Sequence, residues 1–237
     1  MEIVNVTITV QDIESAARFY RETLGLPVIQ NHREVVVRIG SSQLTLRPGG
    51  HFEGAHHLAF GIPPDDFPLA RRWLAGVVEP IKVGDTEVID APEGWDAQSV
   101  YFHGPENIIL ELIARQADSN LPGSTGGEPQ LIAISEVGIG VPDVPAAVQQ
   151  AVEDLGVSPF SAQGQRFAPV GDHQGLLILV EAGRTWFPTR NLRPARGPMT
   201  VLINTIPPKE GDAGGAPTHV LTYESTQTPP ISIDAIA

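Results

Sequence analysis

Three residues in this 237-residue chain could do chemistry at positions where a strand would present them to a ligand: His57, Glu111 and Glu136. The chain contains no cysteine, which excludes thiol nucleophiles, disulfides and zinc knuckles, so any metal must be held by histidine and carboxylates alone. Glu111 interrupts the apolar run NIILELIAR, and a carboxylate there is costly unless it is paired, hydrated or bound to a cation. A histidine and a carboxylate together suit Zn, Fe, Ni and Mn alike, or an acid/base couple, while a buried His–Glu hydrogen bond without chemistry fits the same residues. Glu136 reads as a further ligand or a general base, against the commoner case of a solvated carboxylate at a strand start. No Gly-rich phosphate loop, Ser nucleophile elbow or H-E-x-x-H helix is present.

These residues depend on elements that repeat. A short alternating strand, a Pro/Asp turn and an amphipathic helix recur as VNVTITVQDIESAARFYRETLGLPV, HHLAFGIPPDDFPLARRWLAGVVEPI and SEVGIGVPDVPAAVQQAVEDLGVSPF. In the first copy Asp12 is placed to cap a helix over 14–24 that stops at Gly25; in the third, Asp143 and Gly156 play the same parts. The second copy has Asp65 or Asp66 before Phe67. Strand alternation puts Val6, Ile8 and Val10 on a core face with Asn5 and Thr7 opposite, Leu58 and Phe60 against His57 and Ala59, and Val137 and Ile139 against Glu136 and Gly138. Asn5, His57 and Glu136 thus hold one equivalent place in three repeats, and by the same parity His56 points to the core side.

A formal net charge of −13 argues against nucleic-acid or anionic-membrane partners. There is no basic segment followed by a long apolar one at the start, and no apolar run of membrane-spanning length, so a cytoplasmic protein with no membrane partner is expected.

The stretch DIESAARFYRETLGLPV resembles the first-helix signature of the vicinal oxygen chelate superfamily, which comprises glyoxalases, bleomycin resistance proteins and ring-cleaving dioxygenases, and VYFHGPENIILELIAR is similar to its closing strand pair. The resemblance covers residues 1–115 well and 131–190 more weakly. It implies an α+β fold of repeated βαβββ modules, two of them pairing into a cup-shaped sheet, with a third partial module. The expected organisation is paired modules over 1–115 (1–50 and 54–115), a Gly/Pro-rich linker at 116–130, a third module at 131–204, and an extended or mobile tail at 205–237. The family's metal ligands, at the first and last strands of each module, correspond here to Asn5, Thr45, His57 and Glu111.

A complete family site has four ligands, or two histidines and a carboxylate. This chain offers His57 and Glu111 as metal ligands, with Asn5 as a substrate contact or carbonyl donor and Glu136 able to complete the set. Trp95 and Tyr101, with Phe102, are candidates to line an aromatic-tolerant pocket, as in members that handle ring compounds, although aromatics at such spacing are more often core. Arg184, Trp186 and Phe187, near His173, could close a pocket with a cation for an anionic substrate, although an arginine at a strand end more commonly pairs at the surface. The resemblance implies a divalent-metal enzyme acting on a small molecule with adjacent oxygens, of lyase or isomerase type ahead of a ring-cleaving dioxygenase. The alternative is a metal-free binding or sequestering protein of the bleomycin-resistance kind. An odd number of modules suggests a homodimer.

Overall fold

The computed structural model describes residues 1–162, 164–205, 217–225 and 231–236. The first module contains strand β1 (Glu2–Val10), helix α1 (Ile13–Arg18), and strands β2 (Val28–Gln30), β3 (Val35–Ile39) and β4 (Ser42–Pro48). The second has β5 (His57–Ile62), α2 (Phe67–Val77), β6 (Pro80–Ile81), β7 (Ile89–Asp90), β8 (Ala97–His103) and β9 (Ile109–Arg115). The third has β10 (Ile134–Val141), α3 (Val144–Leu155), β11 (Phe167–Asp172) and β12 (Gly175–Glu181). Three further strands follow: β13 (Met199–Asn204), β14 (Thr218–Tyr223) and β15 (Ile231–Ile236). The latter two fall in the segment read as a tail, of which residues 206–216, 226–230 and 237 lie outside the described residues.

The helices begin and end for local reasons. Asp12 accepts from the Ser15 amide at 2.9 Å and Asp143 from the Ala146 amide at 2.9 Å, each satisfying an amide that the first helical turn leaves unpaired. Gly156 closes α3 with φ 65°, a left-handed conformation that a Cβ disfavours. Beyond Arg18 the first helix widens into a π-helical turn over Phe19–Thr23, so the regular helix expected across 14–24 changes its hydrogen-bond spacing midway. Asp66 makes no helix-capping bond; its buried carboxylate instead accepts from the amides of Ser124 (2.7 Å) and Gln130 (2.8 Å), fastening the Gly/Pro-rich segment to the second module.

The pairing corrects the expected cup. In each of the first two modules the first and last strands pair in parallel, β1 with β4 and β5 with β9, and in the third β10 pairs with β12. Between modules, β5 of the second pairs antiparallel with β10 of the third, and β1 of the first pairs antiparallel with β13. The result is one branched 15-stranded sheet whose main path runs from β15 to β6, and no pairing among the described residues joins those ends. It is neither closed nor curled into a cup. Nor do the first two modules pair with each other: β10 stands between β1 and β5.

The larger core lies on one side of the sheet, where Ala16, Ala17 and Tyr20 of the first helical segment, Leu74 of α2 and Leu155 of α3 meet Val6, Leu58, Leu110 and Val137. A smaller apolar cluster, with Ala55, Trp95, Ile109, Ile178 and Trp186, packs on the face that carries the polar strand residues. Among the described residues no helix is long and apolar enough to cross a membrane.

Candidate metal and ligand site

Strand register assembles the site in a single lateral row. Ala59 of β5 lies opposite Glu111 of β9 on one side and Glu136 of β10 on the other, and Glu111 in turn lies opposite Tyr101 of β8. His57, two residues before Ala59, projects on the same face because side chains alternate along a strand. Ala59 offers only a methyl group between the two glutamates. The neighbouring row is also relieved at its centre: Gly138 lies opposite His57, and a Cβ there would stand 2.5 Å from the Trp186 ring.

His57, Glu111 and Glu136 are all buried, and their ligand atoms lie within 4.8 Å of one another. His57 Nε2 is 3.5 Å from Glu111 Oε2 and 3.9 Å from Glu136 Oε2. Its other nitrogen, Nδ1, is 3.3 Å from the Ile109 carbonyl. A carbonyl only accepts, so this contact assigns the proton to Nδ1 and turns Nε2 toward the carboxylates. Glu111 Oε2 makes no hydrogen bond, an unusual condition for a buried carboxylate oxygen.

Arg115 completes the group from behind. It is 1% exposed, and its Nη2 donates to Glu136 Oε1. The guanidinium also sits 5.6 Å from the ring centre of Trp95 and 6.0 Å from that of Phe160. Along β9, Glu111, Ile113 and Arg115 share one face, so the signal for Arg115 was present in NIILELIAR as a charge four residues from Glu111 with the same parity.

The electrostatics follow from burial and these neighbours. Burial, then the charge of Glu136, raises the Glu111 pKa to about 7, with His57 and the Ser99 and Tyr101 hydroxyls opposing. Burial alone would also raise Glu136, but His57 and Arg115 outweigh it and hold this carboxyl below its ordinary value. For His57, burial favours the neutral ring, yet Glu136 and Glu111 together raise its pKa. Tyr101 is raised well above the ordinary phenol value by burial, then by Glu111 and Glu136.

The cluster forms part of the wall of a cavity of about 460 Å3, whose other walls include Trp95, Tyr101, Phe167, Ile178, Trp186 and Phe187. Trp186 is fixed by an Nε1 bond to the Ala55 carbonyl at 2.9 Å and lies 5.3 Å, centre to centre, from His57. Tyr101 stacks near the same imidazole at 6.2 Å. Trp95 donates to Ser161 Oγ at 3.3 Å and meets Phe160 edge-on.

Other residues singled out from the sequence are elsewhere. Asn5 Nδ2 donates to Thr45 Oγ1 at 2.9 Å, and Thr7 Oγ1 donates to Asn5 Oδ1 at 2.9 Å, forming a neutral network in the first module that does not line this cavity. Phe102 is buried in the larger core, and His103 and His173 are exposed. His56 is buried away from the cluster against Phe52, and burial lowers its pKa to about 4. Ser99, Phe167 and Arg115 join the site or its support without having stood out in the sequence.

Residues 2–39 match the family described as bleomycin resistance protein-like N-terminal. No curated protein sequence matches the chain. Among solved structures, one described as a dioxygenase from Bacillus subtilis subsp. subtilis str. 168 is similar at a TM-score of 0.60 and 14% identity, over 99% of this chain and 84% of that one. A mutant of glyoxalase I from Zea mays is similar at a TM-score of 0.56 and 13% identity, over 98% of this chain and 90% of that one. At such identities the likeness establishes the fold alone. The N-terminal match and the structural likenesses together show a fold shared with the vicinal oxygen chelate superfamily.

Proposed function

We propose that this protein is a divalent-metal enzyme acting on a small molecule with two adjacent oxygen atoms, with lyase or isomerase chemistry ahead of oxidative ring cleavage. The observation that carries the reading is the convergence of His57 Nε2 and two buried carboxylates, one of which has an oxygen that makes no hydrogen bond. One nitrogen and two carboxylate oxygens suit Zn, Fe, Ni or Mn, and three protein ligands leave coordination positions open for a substrate. His57, Glu111 and Glu136 would hold the ion, which when bound supplies Lewis-acid stabilisation of negative charge on the substrate's oxygens.

The chain's own groups have separable tasks. The Ile109 carbonyl fixes the imidazole so that Nε2 faces the carboxylates. Arg115 holds Glu136 in place and ionised. Glu111, whose Oε2 makes no hydrogen bond, is the group placed to take and return a proton at a carboxylate oxygen. Trp95 and Tyr101 bind the substrate's apolar body, and Trp186 excludes water from one side of the imidazole. Glutamates in the haemless two-His-one-carboxylate pattern of iron oxygenases would number one, and here there are two with a single histidine, which places ring cleavage second.

A metal-free binding protein is the second reading, favoured by one feature: Arg115 already offsets the charge of Glu136. Thermal unfolding with added Mn, Zn, Ni or Fe(II) tests between them. The enzyme reading predicts that at least one ion raises the melting temperature of the metal-stripped protein and not that of His57→Ala, since a ligand that binds only the folded state stabilises it. An unchanged melting temperature with all four ions would favour the binding protein.

A further inference from the structure

The more exposed part of the cavity lining carries charges of both signs, Arg184 and Asp90. Arg184 lines it half-buried, just beyond β12, while the two glutamates of the cluster are buried. Among the described residues no carboxylate lies within ion-pair distance of Arg184. Its guanidinium carbon stands 5.0 Å over the Phe167 ring, and its side chain's hydrogen bond is a long one, Nη1 to the Arg166 carbonyl at 3.5 Å. The carboxylate nearest in sequence, Glu181, is taken by Arg166. Asp90, which also lines the cavity and is exposed, accepts from Gln98 Nε2 at 2.9 Å.

We propose that the cavity selects aromatic carboxylates, with Arg184 at the rim as the residue that holds the carboxylate and so determines specificity. Flat walls come from Trp95, Tyr101, Trp186 and Phe187, which belong to different modules, and Trp186 is locked by its bond to Ala55 and by the space left at Gly138. Such rings offer large rigid surfaces to a planar ligand. On the floor Arg115 is engaged by Glu136 and lies behind the lining, so a ligand's carboxylate finds no free guanidinium there. Outward it meets the planar donor fork of Arg184, whose geometry matches a carboxylate in two parallel hydrogen bonds. The chain's net charge of −13 does not prevent this, because charges beyond roughly 8 Å are largely screened at physiological salt.

This inference rests on the reading of the cavity as a substrate site but not on the ion. Isothermal titration calorimetry with 3,4-dihydroxybenzoate and 3,4-dihydroxybenzamide tests it, since the two probes share the ring and both adjacent hydroxyls and differ in charge. The wild-type protein is expected to bind the benzoate about tenfold or more tightly than the amide. Arg184→Gln should lose that preference while binding the amide within about twofold of wild type, and Arg184→Lys should recover part of it. Equal affinities in the wild type, a preference that survives Arg184→Gln, or no binding of either probe would overturn the proposal. His57→Ala separates the two readings: loss of an ion held by the cluster weakens both probes alike and leaves the charge preference in place.

Discussion

At the scale of single residues, the buried charges at the cluster are held in balance by one another, and that balance has measurable signs. In the metal-free protein Glu111 has a folded pKa of about 7 against 4.5 for the free side chain. A raised carboxyl favours the folded state fully below pH 4.5, and this contribution is lost as pH rises toward 7. Thermal unfolding of metal-stripped protein should therefore show the wild type losing stability relative to Glu111→Gln across pH 4.5 to 7; parallel curves would contradict the assignment. His57 titrates in the same direction and Glu136 in the opposite one, which is why the comparison is made against the single variant. Arg115 supports a different prediction. Removing it by Arg115→Leu leaves the Glu136 charge buried without its guanidinium, which should cost about 3–5 kcal/mol in urea unfolding. The double variant Arg115→Leu/Glu136→Leu should regain most of that loss, because it removes both charges together.

Elements set how much of this could be seen in the sequence. The two helix starts at Asp12 and Asp143 were legible because a capping carboxylate is a local device; Asp143→Ala should cost about 1 kcal/mol, measured by chemical unfolding. The strand faces were legible too, since alternation in β5, β9 and β10 already put His57, Glu111 and Glu136 opposite the core. Their meeting was not, because it depends on which strands become neighbours, and β5 and β10 are separated by more than 70 residues of chain. Asp66 shows the same limit: its position before Phe67 suggests a cap, and the long-range bonds to Ser124 and Gln130 override that local preference. Gly138 acquires its role only through pairing, as the gap that admits Trp186 beside His57. Gly138→Ala should displace the indole, lower the melting temperature and shift the tryptophan emission, and an unchanged spectrum would count against that wall.

For the whole molecule, the pairing of the second module with the third, and of the first with β13, decides where a site can exist. The β1–β4 face of the first module carries Asn5, Thr7 and Thr45, which satisfy one another as neutral groups, while the equivalent places around β5 carry the ionisable residues. The cup expected from two paired modules gives way to an open, branched sheet with one such cluster among the described residues. β13 supplies an antiparallel neighbour of β1 from within the same chain. The central claim is that His57, Glu111 and Glu136 hold a divalent ion, and elemental analysis by mass spectrometry tests it most directly. Tag-free wild type, reconstituted and desalted, should retain close to one ion per chain, and His57→Ala, Glu111→Gln and Glu136→Gln should each retain much less. Wild-type protein that keeps no ion, or variants that keep as much as the wild type, would contradict it.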